Sequence, residues 1–485
     1  MRNASQLRVS LNRYGLFGGA VLSGLILLLP PPEGLSLAAV RCAAVAVLMA
    51  TWWMTEAVPL AATALLPLVL FPVLGIMPGD EAAAPYSNPL IYLFLGGFFM
   101  AAALQRWGLH RRFALTVLAL VGSSPRRIVL GFLLATAFIS MWVSNTATAM
   151  LMISIALSVP ALVAEGEESP PDGLAAAIGL AVAYGATVGG VGTIIGTPPN
   201  AFFVGFMQAQ YGVRVGFGQW MIIGVPVMLV GLCLVYAVIL WMHPMSAVPS
   251  QRSRDHIRRE LRAMGRLARP EIVVLLVFGT VAAAWIAGPL IRVVVPGLSD
   301  TGIALIGALA LLVIPADATG RTPVLSWEDA ERLPWGVLLI FGGGLSLAGA
   351  IQQTGLAAYV GSLLQGTAIL PTLAVAAAVA GLVLLVTELT SNIAAAATFL
   401  PIAALLAGTR GDNPFLLTVP TVLAASCAFM LPVGTPPNAI VFGSGMVTQR
   451  QMIRAGVVLN LGFLVLVALL PYLLAPAVFG RPGAP

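Results

Sequence analysis

The sequence predicts an all-α polytopic membrane protein, with 11 transmembrane helices plus two re-entrant hairpins in an inverted repeat. Composition is the first ground. The 485 residues are 59% hydrophobic and 9% charged, with a mean hydropathy of +0.99, enough for many spans of roughly 20 residues. Nothing alternates over the ~10-residue strands of a membrane barrel. The second ground is internal duplication. Ser144-Asn145-Thr146 recurs as Ser391-Asn392-Ile393, 247 residues on, and Ser140 recurs as Thr387 at the same offset. So do Leu104-Gln105 and Gly108-Leu109, as Ile351-Gln352 and Gly355-Leu356. Gly196-Thr197-Pro198-Pro199-Asn200 recurs as Gly434-Thr435-Pro436-Pro437-Asn438 at an offset of 238. The longer polar loop 165–173 of the first copy absorbs the difference of 9 residues.

Apolar runs near 14–31, 36–54, 57–77 and 88–104 open the chain. Leu16 to Pro30 reads as a retained first span, because another apolar segment follows almost at once. Residues 1–87 hold the amino-terminal helices. An amphipathic stretch from Gln105 to about Val121 and the turn Ser123-Ser124-Pro125-Arg126-Arg127 lead into segment 128–163. Spans near 173–209 and 216–243 complete a first unit, 88–243. The loop 244–269 is rich in Arg, and spans near 271–296 and 301–317 lie within 270–333. The second unit, 334–479, repeats the order: 334–351, an amphipathic stretch to about 366, segment 371–408, then 413–446 and 452–479. Segments 128–163 and 371–408 each run to roughly 36 residues, about 54 Å as one helix against a hydrocarbon core of about 30 Å. Each carries its polar motif near the middle. Two half-helices meeting at mid-membrane, as hairpins 125–165 and 371–408, fit that length, with their irregular tips buried in protein or facing water.

All 24 basic residues are Arg. With the amino terminus in the cytoplasm, 19 of them fall on cytoplasmic connections; Arg214, Arg292, Arg410 and Arg481 fall outside and Arg41 within a span. This split follows the positive-inside bias and places the carboxyl terminus outside. Hairpin 125–165 then opens from the cytoplasm and hairpin 371–408 from the exterior, so the units are inverted. Topology accounts for the net charge of +6, and no nucleic-acid partner is expected. Cys42, Cys233 and Cys427 are isolated in apolar runs, and His110, His243 and His256 are scattered, so neither disulfides nor a transition-metal site is expected.

A half-helix tip supplies unpaired N–H groups and a positive dipole end for an anion, while freed carbonyls and hydroxyls can hold a hard cation such as Na⁺. Ser140 and Ser144, like Thr387 and Ser391, are four apart and share a helical face. Asn145 and Asn392 each offer a carbonyl oxygen to a cation and an NH₂ group to an anion. The paired prolines are expected to break the spans that follow the hairpins. One Ser-Asn-Thr alone would be packing glue; recurrence of both motifs in register points to a carrier's binding site. Glu56 and Glu388 are intramembrane acids, and Glu388 has no counterpart in the first unit, where Met141 stands. A structural hydrogen bond and proton coupling both remain open for it.

The residues Trp52-Trp53-Met54-Thr55-Glu56-Ala57-Val58-Pro59, Ser144-Asn145-Thr146-Ala147-Thr148-Ala149 and Thr387-Glu388-Leu389-Thr390-Ser391-Asn392, with both Gly-Thr-Pro-Pro-Asn segments, resemble the divalent anion–sodium symporter family over essentially the whole length. The resemblance implies a homodimer in the bacterial inner (cell) membrane. Scaffold helices in 1–87 and 270–333 would support a transport domain that moves like an elevator. It implies one Na⁺ around Ser140, Ser144, Asn145 and Gly196, and another around Thr387, Thr390, Asn392 and Gly434. Substrate carboxylates would meet Asn145 and Thr146 from one tip and Ser391 and Asn392 from the other, with Thr197 and Thr435 close by. Ile393 departs from the pattern, since bacterial dicarboxylate carriers often have a second Thr there. Neither motif contains Lys, Arg or His, so mobile cations must neutralise a dianion. The expected function is Na⁺-coupled import of a small dianion, a C4-dicarboxylate such as succinate, malate or fumarate, across the lipid bilayer. A dicarboxylate exchanger and a sulfate or citrate symporter are the alternatives. A channel would need a continuous pore, and an enzyme would need a paired-acid metal motif or a nucleophile–base set.

Overall fold

The computed structural model describes residues 2–157, 173–245, 251–317, 320–363 and 370–480. Among them the structure is helical, and the only pairing of extended backbone is one bridge between Pro315 and Pro323. Among the described residues, seven helices are long and apolar enough to cross a membrane by length and composition. The shorter apolar helices lie mostly where polar motifs interrupt the chain.

Helices α1 (Arg2–Leu28) and α2 (Leu37–Thr55) open the chain. The span expected at 57–77 is two short helices instead, Leu60–Thr63 and Leu66–Val73. Hydropathy cannot see this division; Pro67, in the first turn of the second helix, lacks the N–H that a continuous helix would bond back to Thr63 O. The first unit comprises α3 (Pro89–Arg106), α4 (Leu109–Val121), α5 (Pro125–Ser140), α6 (Asn145–Ala156), α7 (Leu174–Gly190), α8 (Pro198–Tyr211) and α9 (Phe217–Met242). The Arg-rich connection is not a loop throughout but contains α10 (Gln251–Ala263). Ile257 on this helix is buried, while Arg254, Arg258, Arg259 and Arg262 are exposed. Next come α11 (Arg269–Ile286) and α12 (Asp300–Val313).

The second unit repeats the first, helix for helix: α13 (Trp335–Gln353), α14 (Leu356–Leu363), α15 (Thr372–Thr387), α16 (Asn392–Arg410), α17 (Phe415–Ala425), α18 (Pro436–Gly443) and α19 (Gln449–Phe479). Gly108 and Gly355 turn α3 and α13 into the helices that follow, at φ of 67° and 79°, a region glycine enters without strain. The last pair is related by an offset of 232, different from the two that relate the polar motifs. Gln219 Oε1 accepts from the Gly216 N–H and Gln451 Oε1 from the Thr448 N–H, both at 2.9 Å.

The interrupted helices break differently from expectation. The prolines do not make the break; Pro198-Pro199 and Pro436-Pro437 open α8 and α18, where a missing N–H leaves nothing unpaired. The break lies just upstream, in residues 191–197 and 426–435, and the closing Asn of each motif braces it. Asn200 Nδ2 reaches the carbonyls of Gly190 (3.2 Å), Val191 (3.2 Å) and Thr193 (2.8 Å). Asn438 Nδ2 reaches those of Ala428 (3.2 Å) and Leu431 (3.1 Å), the same positions one repeat later. Freed carbonyls in an apolar medium need such donors. Glycines let neighbouring helices press against these segments. A methyl on Gly224 would lie 2.7 Å from Val191 O, and one on Gly456 would lie 2.4 Å from Met430 Cα.

The two units cross-brace each other: α6 packs on α18, α16 on α8, and α9 on α19. Arg410 closes the base of the α15–α16 pair, donating to Asp412 (2.7 Å) and to Leu370 O (2.7 Å), while Thr372 Oγ1 also donates to Asp412 (2.9 Å). The corresponding base of the α5–α6 pair, including most of the polar loop 165–173, lies outside the described residues.

The closest helix approach generates a prediction. A methyl on Gly189 would fall 2.2 Å from Ala137 O and 2.5 Å from its Cα, whereas Gly349 has open space around it. Gly189→Ala should therefore destabilise the protein by about 1–3 kcal/mol, read as a lower unfolding temperature in detergent. Gly349→Ala should leave that temperature unchanged or raise it slightly. Equal behaviour of the two variants would contradict the α5–α7 packing.

Candidate functional site

Four helices begin at one cavity of about 1180 Å³. Its lining includes the first residues of α6 (Asn145, Thr146), α8 (Pro198, Pro199), α16 (Asn392, Ile393) and α18 (Pro436). Each start follows from a local stop. Ser144, Thr197, Ser391 and Thr435 take extended backbone angles as N-caps, so the chain enters the next helix with its leading N–H groups unpaired. Four partial positive charges thus meet around a space with no basic side chain at its centre.

The caps are used unequally. Ser144 Oγ accepts weakly from Ala147 N, and Thr435 Oγ1 from Asn438 N, each at 3.4 Å. Ser391 and Thr197 make no cap bond. Thr197 Oγ1 is buried without a hydrogen-bond partner, so it retains both a donor and acceptors for a ligand. Ile393 also faces the cavity and is 6% exposed.

Beside each tip lies a cluster rich in oxygen. Ser140 Oγ is 2.7 Å from both Asn145 Oδ1 and Ala186 O. Thr387 Oγ1 is 2.9 Å from Asn392 Oδ1 and 2.8 Å from Ala425 O. One hydroxyl hydrogen cannot serve two acceptors fully, so each cluster has more lone pairs than hydrogens, which suits a hard cation. Gly190 backs onto the first cluster; a methyl there would lie 2.6 Å from Asn145 Oδ1 and 3.0 Å from Gly196 O. The structure therefore brings Ser140, Asn145 and Gly196 together, while Ser144 caps α6 and faces the cavity. Thr387 and Asn392 form the core of the second cluster. Thr390, whose hydroxyl donates to Val386 O (3.1 Å), and Gly434 line the cavity beside them. Thr146, Thr197, Ser391 and Thr435 all line the same space.

Sequence reasoning left several residues without a role. Asn200 and Asn438 brace the breaks. Thr193 Oγ1 donates to Met141 O and accepts from Gly196 N (3.0 Å), fixing the segment behind the first tip. Glu388 accepts backbone N–H groups from the second break. The mismatches Met141/Glu388 and Thr193/Leu431 between otherwise matching units were the available clue. Glu56 caps α2 in the left-handed region, at φ 49°, and lines the cavity. The rim carries Arg106, Asp329 and Arg332, with Arg106 and Asp329 ion-paired. Partial burial pulls the Asp329 carboxyl up, but the Ser326 N–H and hydroxyl and the Arg106 guanidinium together hold it below its usual value.

Known proteins share this architecture. Two solved transporters match it in fold. YdaH of Alcanivorax borkumensis does so with a TM-score of 0.55 at 14% identity, covering 99% of each chain. MtrF of Neisseria gonorrhoeae does so with a TM-score of 0.56 at 15% identity, covering 99% of this chain and 97% of its own. In sequence, the sodium-dependent dicarboxylate transporter SdcS of Staphylococcus saprophyticus is 42% identical over 481 residues, 96% of this chain and 92% of the relative. Its counterpart from Staphylococcus aureus is 39% identical over 478 residues, again 96% and 92%. The family model described as the sodium:sulfate symporter transmembrane region matches residues 13–479. The chain is thus a membrane transporter of the sodium:sulfate symporter family, the divalent anion–sodium symporters.

Proposed function

We propose that the protein imports a C4-dicarboxylate with Na⁺ by alternating access of the elevator type. The observation that carries this reading is the meeting of four helix starts and their hydroxyls at one cavity, with an oxygen cluster beside each tip. Carboxylates are recognised by N–H groups, by Asn145 and Asn392, and by the hydroxyls of Thr146, Thr197, Ser391 and Thr435. No fixed cation stands at the tips, so Na⁺ at the two clusters offsets the substrate's charge and ties its binding to the ion gradient. The names of the SdcS relatives support the same ligand pair.

The two units read as inverted, with 11 crossings, the amino terminus in the cytoplasm and the carboxyl terminus outside, in a homodimer at the bacterial inner membrane. On that orientation the rim residues Arg106, Asp329 and Arg332 face the cytoplasm and the cavity is in its inward-open form. Helices in 1–87 and 270–333 act as scaffold while the hairpins and interrupted helices move. Ile393 is the one specific observation for a different anion, sulfate or citrate, because it places apolar surface where the first tip has the Thr146 hydroxyl.

Radiolabelled succinate uptake into proteoliposomes should require an inward Na⁺ gradient. Uptake driven only by internal dicarboxylate and indifferent to Na⁺ would identify an exchanger, and no uptake of any dicarboxylate would refute the reading. Asn145→Ala and Asn392→Ala should each abolish transport while the protein still folds. Near-normal uptake by either would remove that tip from the site.

The tips should respond unequally at their third positions. A hydrogen bond to a charged group contributes roughly 1.5–3 kcal/mol, so Thr146→Val should raise the half-saturating dicarboxylate concentration by roughly 10–100-fold. Ile393→Thr should be milder, near tenfold or less, and shift preference toward smaller or more polar dianions. Equal losses with an unchanged substrate ranking would show that neither side chain meets the substrate.

A further inference from the structure

The two units differ most at one buried point. In the second, the Glu388 side chain stands at the end of α15 and is 3% exposed. Its oxygens accept from the N–H groups of Phe429 (2.7 Å), Met430 (3.0 Å) and Leu431 (3.1 Å), and from Asn460 Nδ2 (2.8 Å). Every partner is a donor, the pattern of an ionised carboxylate. In the first unit the equivalent positions are Met141 and Met228, at the offsets that relate Ser144 to Ser391 and Gly224 to Gly456. A methyl on Gly192 would lie 3.0 Å from Met228 Sδ and 3.2 Å from Met141 Cε, so both side chains approach Gly192, the counterpart of the Met430 whose N–H Glu388 accepts. One unit therefore has a charged, hydrogen-bonded pair where the other has thioethers.

Glu388 forms no ion pair among the described residues. Hydrogen bonds spread its charge without cancelling it, and a buried charge of this kind favours an opposite charge nearby. The residue lies directly after Thr387 in the second oxygen cluster. A methyl on Gly434 would lie 3.1 Å from both Glu388 Oε2 and Glu388 O. We infer that Glu388 is the fixed counter-charge of the second cation site, so that this site fills first and holds Na⁺ more tightly than the first. Glu388 is a positioning residue by the same geometry, holding the break 426–435 in place. The inference rests on the reading of the two clusters as Na⁺ sites.

Two measurements test it. In proteoliposome uptake, Glu388→Gln should raise the half-saturating Na⁺ concentration by about tenfold or more. The substrate KM at saturating Na⁺ should change by less than about threefold. Loss of bracing alone would slow uptake and lower stability without moving the Na⁺ dependence, and that result overturns the inference. The second measurement leaves Glu388 intact and so decides the matter even if the variant does not fold. Ile195 and Val433 are equivalent positions beside Gly196 and Gly434, and both line the cavity. With the three native cysteines replaced, Ile195→Cys and Val433→Cys are labelled with a thiol reagent at increasing Na⁺ without substrate. Protection at position 433 should come at a clearly lower Na⁺ concentration than at 195. Coincident protection curves would overturn the inference. Failure of Na⁺ to affect wild-type uptake or any labelling would instead overturn the reading of the clusters as Na⁺ sites.

Discussion

The rest of the structure depends on one constraint: a backbone that stops being helical in an apolar interior must find partners for every group it frees. Around the cavity the described chain stops at 141–144, 191–197, 388–391 and 426–435. Carbonyls on the upstream side are taken by Asn200 and Asn438. N–H groups on the downstream side are left facing a common cavity. The donors turned toward the cavity and the amides that hold the fold are thus two halves of the same interruption. Glycines make the arrangement compact, because α9 and α19 press onto the breaks at Gly224 and Gly456 without an intervening side chain.

Duplication of the motif does not imply equivalence of its copies. The hydroxyl–amide–carbonyl contact is reproduced closely: Ser140 with Asn145 and Ala186, Thr387 with Asn392 and Ala425. Behind it the solutions diverge. The first unit holds its break with the Thr193 hydroxyl, which serves Met141 O and Gly196 N. The second uses a carboxylate and three consecutive N–H groups. A neutral and a charged brace cannot give the same electrostatic potential at the adjacent oxygens.

What could be read from the sequence followed contrast. Polar triplets stand out against apolar sequence, so the breaks at Ser144 and Ser391 were legible. The Pro-Pro pairs were misplaced by one step, since a proline's missing N–H argues for a break but is equally suited to a helix start. The correspondence of α9 with α19 was hidden, because two runs made mostly of Val and Leu match about equally well at several offsets, and distinctive pairs such as Gln219/Gln451 and Gly224/Gly456 are few. Helix α10 was hidden for the opposite reason: its Arg content reads as loop, while Ile257, Leu261 and Met264 supply an apolar face for it to pack on. Glu388 was visible as an oddity, but its partners lie 41 to 72 residues away in sequence, beyond any local pattern.

The convergence of four helix starts has a consequence for what the cavity refuses. A wide space with a partly polar lining would ordinarily admit hydronium along its waters. Positive helix ends raise the electrostatic energy of any excess proton at the cavity floor, as half-helix dipoles do in channels that pass water but exclude protons. The geometry that favours negative charge between these helix ends therefore also disfavours an excess proton there.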